Sequence, residues 1–227
     1  MTVDNTALHC RLITPQERYR LPAGAKQLIL VRHGSTDLAS GGAMEFEGLT
    51  LSNPLLLPVG HEQARAVAAR LSAEAISALF VTPLQRTHQT AAPFAALSGL
   101  VPTVIPELRE IYLGDWEHSF HLHAAAGSDL LARMLAEESF EVLPNAETMA
   151  AIATRIRTGI ERVATLTEPD SSAVIFTHGG TIAEICRQAA HSRPFAFLGP
   201  ENTSISRIVI LDDGRWTLRG FNDVAHL

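Results

Sequence analysis

The chain has 227 residues, 46% of them hydrophobic and 19% charged. That is enough apolar material for one large α/β domain or two small ones, and it excludes an intrinsically disordered chain. A net charge of −6, from 18 basic and 24 acidic side chains, argues against nucleic-acid binding over the whole surface, although a local arginine cluster can still hold an anion.

Residues 1–26, broken by Pro15, Pro22 and Gly24, read as an extended arm. The apolar run Leu28-Ile29-Leu30-Val31 then stops at Arg32-His33-Gly34, the pattern of a fully buried strand in a parallel sheet. Ligands of open α/β sheets lie just past the carboxyl ends of such strands. A cation and an imidazole therefore fall where this kind of fold places its chemistry, and Gly34 permits a sharp turn and close approach to a ligand. Residues 38–43 are a loop. Residues 44–60, with Asn53-Pro54, Pro58 and Gly60, form a long connection, and such connections are often functional. From His61, Ala64, Val67, Ala68 and Leu71 recur at helical spacing. Residues 78–81 predict a second buried strand. Thr82 suits a helix cap and Pro83 its first turn, which puts Arg86 near a helix N-terminus, where anions are favoured.

Residues 101–105 predict a strand nearer an edge, because of Pro102. The stretch 106–117 comes next, in which Glu107, Glu110, Asp115 and Glu117 are all candidate acids. His118, His121 and His123 have a spacing that suits a metal in an extended or helical segment, but no cysteine accompanies them and a metal site is not expected. Helices are predicted over 128–138 and 146–166, with Asn145 capping the second. Its stripe of Met149, Ile152, Ile156, Ile160 and Val163 is core. Residues 173–177 predict another buried strand, ending in His178-Gly179-Gly180 with a helix from Ile182, so the opening arrangement recurs. Residues 205–211 and 216–218 flank Asp212-Asp213-Gly214 as an antiparallel hairpin. Cys10 and Cys186 are far apart, with no disulfide framework or metal-binding spacing, so a reducing cytosol is the default. The start has the pattern of neither a signal peptide nor a membrane span, and a cytoplasmic protein is expected.

Bringing the two strand ends together gathers Arg32, His33, His178 and Arg86. Phosphoryl transfer needs such a set. The oxygens of a transferring phosphoryl group carry spread negative charge, so catalysis is mainly positioning and electrostatic stabilisation. Guanidiniums bind oxygens as forks and stay charged. A neutral imidazole can attack phosphorus, and a second, protonated histidine adds a donor. A carboxylic acid is then needed to protonate the leaving oxygen.

With these motifs the chain resembles the histidine phosphatase superfamily, also called phosphoglycerate-mutase-like, and its phosphatase-type members in particular. The resemblance rests on Leu-Val-Arg-His-Gly-Ser-Thr at 30–36, Thr-Pro-Leu-Gln-Arg-Thr-His-Gln-Thr-Ala at 82–91, Leu-Arg-Glu-Ile-Tyr-Leu-Gly-Asp-Trp-Glu at 108–117 and Thr-His-Gly-Gly at 177–180. It implies a three-layer α/β/α sandwich with a mainly parallel central sheet and a C-terminal hairpin. One domain would cover 27–227 after the arm 1–26, with a helical lid near 118–143. The resemblance implies that His33 is the nucleophile, Glu110 the general acid and His178 the second histidine. Arg32 and Arg86 would bind phosphate, with Thr36 and Gly179 as further substrate contacts, and no metal or cofactor is implied.

Two departures bear on this resemblance. Ala39 stands where family members often carry Asn, so one phosphate contact is missing or comes from Thr36 or a loop amide. Residues 38–60 are also unusually small and apolar where relatives show Gln-Gly and a Pro-Leu-Thr turn, which bears on substrate choice. Glu110 is followed by Ile111-Tyr112-Leu113-Gly114, where glycolytic phosphoglycerate mutases show Arg-His-Tyr-Gly. The implied activity is a metal-independent phosphomonoesterase acting through phosphohistidine on a small phosphorylated metabolite. The alternatives are a mutase-type phosphotransferase and a catalytically weak member that binds phospho-ligands or partner proteins. The expected partner is a small phosphate ester, with neither nucleic acid nor membrane, and a homodimer is left open.

Overall fold

The computed structural model describes residues 19–37 and 42–227. Residues 1–18 of the expected arm and Ala39 lie outside the described residues.

The first strand, β1 (Lys26–Arg32), is central because its side chains are apolar on both faces. Leu28 and Leu30 enter one core and Ile29 and Val31 the other. Around it runs a sheet in the order β5-β4-β6-β1-β7-β8, built from β4 (Ala78–Val81), β5 (Thr103–Val104), β6 (Ser172–Thr177), β7 (Ile205–Ile210) and β8 (Trp216–Asp223). Strands β5, β4, β6 and β1 are mutually parallel, whereas β7 is antiparallel to both β1 and β8. The sandwich is thus the mainly parallel one expected, closed by an antiparallel C-terminal hairpin.

Helices α1 (Pro58–Leu71) and α2 (Gln85–Ser98) contribute Val67, Leu71 and Phe94 to the core beneath Ile29, Val31 and Phe176. On the other face α5 (Met149–Leu166) and α6 (Gly179–Ala190) bring Ile152, Ile156, Ile160 and Ile182 against Leu28, Leu30 and Ile175. Burying each such aliphatic side chain stabilises the fold by about 1.5–3 kcal/mol. No helix among the described residues is long and apolar enough to cross a membrane.

The connection 44–60 contains an unexpected hairpin, β2 (Ala43–Phe46) paired with β3 (Leu49–Ser52). Its turn residues Glu47 and Gly48 both have positive φ, the conformation of a primed two-residue turn. Glu-Gly is a weaker signal for that turn than Asn-Gly or Asp-Gly. Two short helices, α3 (Phe120–Ala125) and α4 (Asp129–Glu137), fill the excursion after the sheet edge.

Several helix starts differ from expectation. Helix α1 begins at Pro58 and α6 at Gly179, each earlier than its apolar stripe. Thr148, not Asn145, caps α5, accepting from the Ala151 N–H at 3.2 Å. Asn145 is instead in the left-handed region and donates to Asp115. Thr82 does not cap α2, whose N-cap is Leu84 with no side-chain bond. Its hydroxyl is used in the site.

Candidate active site

Strands β1 and β6 lie side by side in parallel register, with Arg32 opposite Thr177. The next residues, His33 and His178, therefore leave the sheet at one edge, 5.3 Å apart between ring centroids. The His33 N–H donates to Thr177 O at 2.9 Å, which ties the two strand ends together. This is the crevice outside the carboxyl ends of the strands, where the topology favours ligands.

His33 is buried. Its Nδ1 lies 2.8 Å from Gly34 O. A carbonyl can only accept, so Nδ1 carries the ring proton and Nε2 keeps its lone pair free. The turn behind it is tight. A Cβ on Gly34 would come within 2.6 Å of Gly60 O, so this position needs glycine for close approach. Burial first, then the charges of Arg86 and Arg32, hold His33 well below the usual histidine pKa, against the opposing bond to Gly34 O. The ring is neutral.

His178 is fully buried between two partners. Arg86 Nε donates to its Nδ1 at 3.2 Å, so Nε2 carries the proton and donates to Thr82 Oγ1 at 2.8 Å. Thr82 Oγ1 lies 3.2 Å from Thr87 Oγ1, and Thr87 Oγ1 donates to Leu84 O at 2.8 Å. Burial, followed by the charges of Arg86, His33 and Arg32, pushes His178 well below its ordinary pKa. The expectation of a protonated second histidine is therefore corrected. Two adjacent guanidiniums in a desolvated site disfavour a further positive charge.

Arg86 donates through Nη1 to Ser52 O at 2.9 Å, which connects the unexpected hairpin to the site. Burial lowers its pKa to about 10, opposed by Glu110 and Glu117, so it stays charged at neutral pH. Arg32 donates through Nη1 to Pro200 O at 2.6 Å. Its buried Nε has no hydrogen-bond partner among the described residues. A buried donor left in this way is costly unless an acceptor meets it, and an anion at the strand ends would do so. Gly179, the first residue of α6, leaves the space beside that Nε, since a Cβ there would sit 3.4 Å from it.

Glu110 is held at the start of α6. Its Oε1 accepts from the N–H groups of Ile111 at 3.0 Å and Thr181 at 3.2 Å. The backbone that carries it is clamped from both sides. Thr177 Oγ1 donates to Leu108 O and Thr181 Oγ1 to Arg109 O, each at 2.8 Å. From α5, Arg155 donates to Glu107 O at 2.7 Å and forks onto Glu147 at 2.7 and 2.8 Å. Glu147 also pairs with Arg109 and accepts from the Tyr112 N–H. Burial raises the Glu147 pKa, but the bond and charge of Arg155, then Arg109 and the Tyr112 N–H, outweigh it and leave the carboxyl below its ordinary value.

These side chains open onto a cavity of about 670 Å³. Of the residues expected from the sequence, Arg32, His33, Thr36, Arg86, Glu110 and Gly179 lie on its wall, whereas His178 is fully buried and not on the wall, contacting the site through Arg86. Thr36 is held there by a bridge to Leu56. His118 and His121 also line the cavity, whereas His123 stacks on Trp116 at 3.9 Å. Among the described residues no group of three or more His, Cys, Asp or Glu side chains is placed to hold a metal.

Three further contributors are not legible as such in the sequence. Thr82 has the local pattern of a helix cap. Asn202 lines the cavity and donates from Nδ2 to His33 O at 2.9 Å. Glu117 is one candidate acid among four. Its two oxygens accept from the N–H groups of Ser52 and Leu113, both at 2.9 Å, and so tie the hairpin to the loop 106–117. None of these has a local signal, because each role depends on a partner distant in the chain.

The geometry agrees with the comparisons to known proteins. Residues 28–224 match the profile of the histidine phosphatase superfamily (branch 1). Phosphoglycerate mutase-like protein 4 of Arabidopsis thaliana is 28% identical over 211 residues, covering 88% of this chain and 86% of that protein. Glucosyl-3-phosphoglycerate phosphatase of Mycobacterium tuberculosis is 30% identical over 168 residues, covering 71% of this chain and 74% of that protein. The structure of the mycobacterial glucosyl-3-phosphoglycerate phosphatase with inorganic phosphate superposes with a TM-score of 0.70 at 26% identity, covering 88% of this chain and 99% of that one. With a matching profile over most of its length and with the fold, the chain belongs to the histidine phosphatase superfamily.

Proposed function

We propose that the chain is a phosphomonoesterase that works through a phosphohistidine on His33. The observation that carries this reading is the His33 ring itself. It is neutral, its Nδ1–H is committed to Gly34 O, and its free Nε2 belongs to a cavity wall that also bears Arg32, Arg86 and Glu110. The inorganic phosphate in the mycobacterial relative's structure supports the same ligand chemistry here.

In the first step His33 Nε2 forms a bond to phosphorus as the ester P–O bond breaks. The departing oxygen takes the proton of Glu110. Arg32 and Arg86 bind the equatorial oxygens, with the unpartnered Nε of Arg32 as one donor. His178 aims the Arg86 fork through Nδ1. In the second step a water gives its proton to Glu110 while its oxygen bonds phosphorus and the P–N bond breaks. The products are phosphate and neutral His33. No step needs a metal. Residues 118–143 act as a lid, supplying Phe120, Met134 and Phe140 to the cavity wall.

Hydrolysis is favoured over mutase-type transfer by the residues just after the acid. Ile111 and Leu113 are on the cavity wall, where a phosphosugar acid to be retained and turned over would need charged partners. The test is hydrolysis of 4-nitrophenyl phosphate with and without a chelator, paired with trapping of an acid-labile phosphoryl label. Turnover should be unchanged by chelator, and His33→Ala should abolish both turnover and label. Undiminished turnover in His33→Ala would sink the mechanism.

A further inference from the structure

Away from the phosphoryl end the cavity wall is largely apolar, with His118, His121 and Glu117 as its polar side chains. Its apolar part is formed by Ile111, Leu113, Phe120, Met134, Phe140 and Leu198. Ile111, Met134 and Phe140 are buried members of the larger core, so this wall is pinned rather than adaptable. Phe140 is braced further by Phe195, ring to ring at 4.8 Å. Among the described residues the wall carries no lysine, and its only arginines are Arg32 and Arg86, which the phosphoryl group occupies. Its second carboxylate, Glu117, also lies on the wall, with its two oxygens accepting from the N–H groups of Ser52 and Leu113. Apart from the imidazoles of His118 and His121, nothing basic among the described residues remains for the leaving group.

A leaving group bearing a carboxylate would lie along this wall with no lysine or uncommitted arginine to meet it and with Glu117 nearby. Burial of such a charge without a partner is strongly unfavourable. An uncharged apolar group, by contrast, gains from every part of this wall it covers. Resting on the phosphomonoesterase reading, we infer that the preferred substrate is the monophosphate ester of an uncharged, largely apolar alcohol, aromatic or branched-aliphatic, rather than a phosphorylated hydroxy acid or amino acid.

The test compares kcat/KM for alkyl esters of similar leaving-group basicity, so that intrinsic reactivity does not decide the outcome. Hexyl phosphate and 2-phenylethyl phosphate are set against 3-phosphoglycerate and O-phosphoserine. The apolar esters should be favoured at least about tenfold, since an unpaired buried polar group discriminates more strongly than a missing methylene. The variant Phe120→Arg, on a partly exposed helix, should narrow that ratio at least about fivefold by raising turnover of the carboxylate esters and lowering that of hexyl phosphate. Equal or better turnover of the carboxylate esters by the unaltered protein would overturn the inference. Concurrent hydrolysis of 4-nitrophenyl phosphate with label on His33 would then leave the phosphomonoesterase reading standing. No turnover of any ester, 4-nitrophenyl phosphate included, would overturn both. An unchanged ratio in a folded Phe120→Arg would also count against the inference.

Discussion

His178 is a small buried ring whose two nitrogens do opposite work. Nδ1 accepts from Arg86 and Nε2 donates to Thr82, and Thr82 in turn is next to Thr87. Thr82 is thus a positioning residue, because its hydroxyl selects the tautomer that can aim Arg86. Thr82→Val keeps the shape and removes the acceptor. We expect kcat to fall about tenfold, equivalent to about 1.4 kcal/mol in the barrier, with KM little changed. Thr82→Ser should restore kcat, and a merely structural role would not be rescued in kcat alone. Removing a guanidinium is more severe. Arg86→Ala should cost about 2.7–4 kcal/mol in the barrier, by analogy with the loss of an oxyanion donor, measured as kcat on 4-nitrophenyl phosphate. On the proposed mechanism, the depressed pKa of His33 places the acid limb of the rate profile below the ordinary histidine range. A nucleophile that stays neutral well below pH 6.5 should show no loss of kcat/KM near the ordinary histidine pKa of about 6.5.

At the scale of elements, the acid loop 106–117 is the least regular part of the site and the most heavily fastened. Arg155 on α5, Thr177 at the end of β6 and Thr181 at the start of α6 hold its carbonyls, while Glu147 neutralises the guanidiniums above it. Glu147→Gln would leave Arg155 and Arg109 half-paired. Breaking a buried pair in this way should destabilise the fold by about 3 kcal/mol, read as a shift in denaturant midpoint. The native Glu147 pKa is depressed, so its contribution is present above the unfolded carboxyl value and is lost as pH falls through the folded one. Gly114 is a second fastening. It has φ of +59°, and a Cβ would clash with the backbone at Pro144 and Asn145. Gly114→Ala should therefore cost about 1–3 kcal/mol from the left-handed conformation alone, with more from the clash, seen as a lowered midpoint.

At the scale of the molecule, the sheet buries two neutral imidazoles in one crevice, and stability depends on pH as a result. Both rings have pKa values depressed in the folded state. The unfolded chain binds protons that the folded chain refuses, so unfolding is favoured as pH drops. The stabilising contribution is complete above the unfolded histidine pKa of about 6.5 and declines below it, by up to about 1.4 kcal/mol per pH unit for each ring. Denaturant titrations between pH 7.5 and about pH 5 should show that slope. His33→Asn should remove about one ring's share. A slope unchanged in His33→Asn would show that its ring does not contribute.

Strands β1, β4 and β6 are legible in the primary structure, because continuous apolar runs ending in glycine or proline have few other folded solutions. Paired strand-imidazole-glycine units, with an arginine after the intervening strand, also put Arg32, His33, Arg86 and His178 within one line of reasoning. Glu110 emerges from its neighbours only through family resemblance, since Glu107, Asp115 and Glu117 share its local pattern. Other features take shape only when the chain folds. Thr82 goes to His178 instead of to a helix end, the hairpin at Ser52 meets Arg86, and Glu117 settles between two backbone amides. Phe120, Met134 and Phe140 likewise come to face the same cavity as Ile111. The difference is one of range. Periodicity and turn chemistry act over a few residues, whereas a tautomer, an ion's partner or the polarity of a cavity wall is set by groups tens of residues apart that meet only once the sheet has formed.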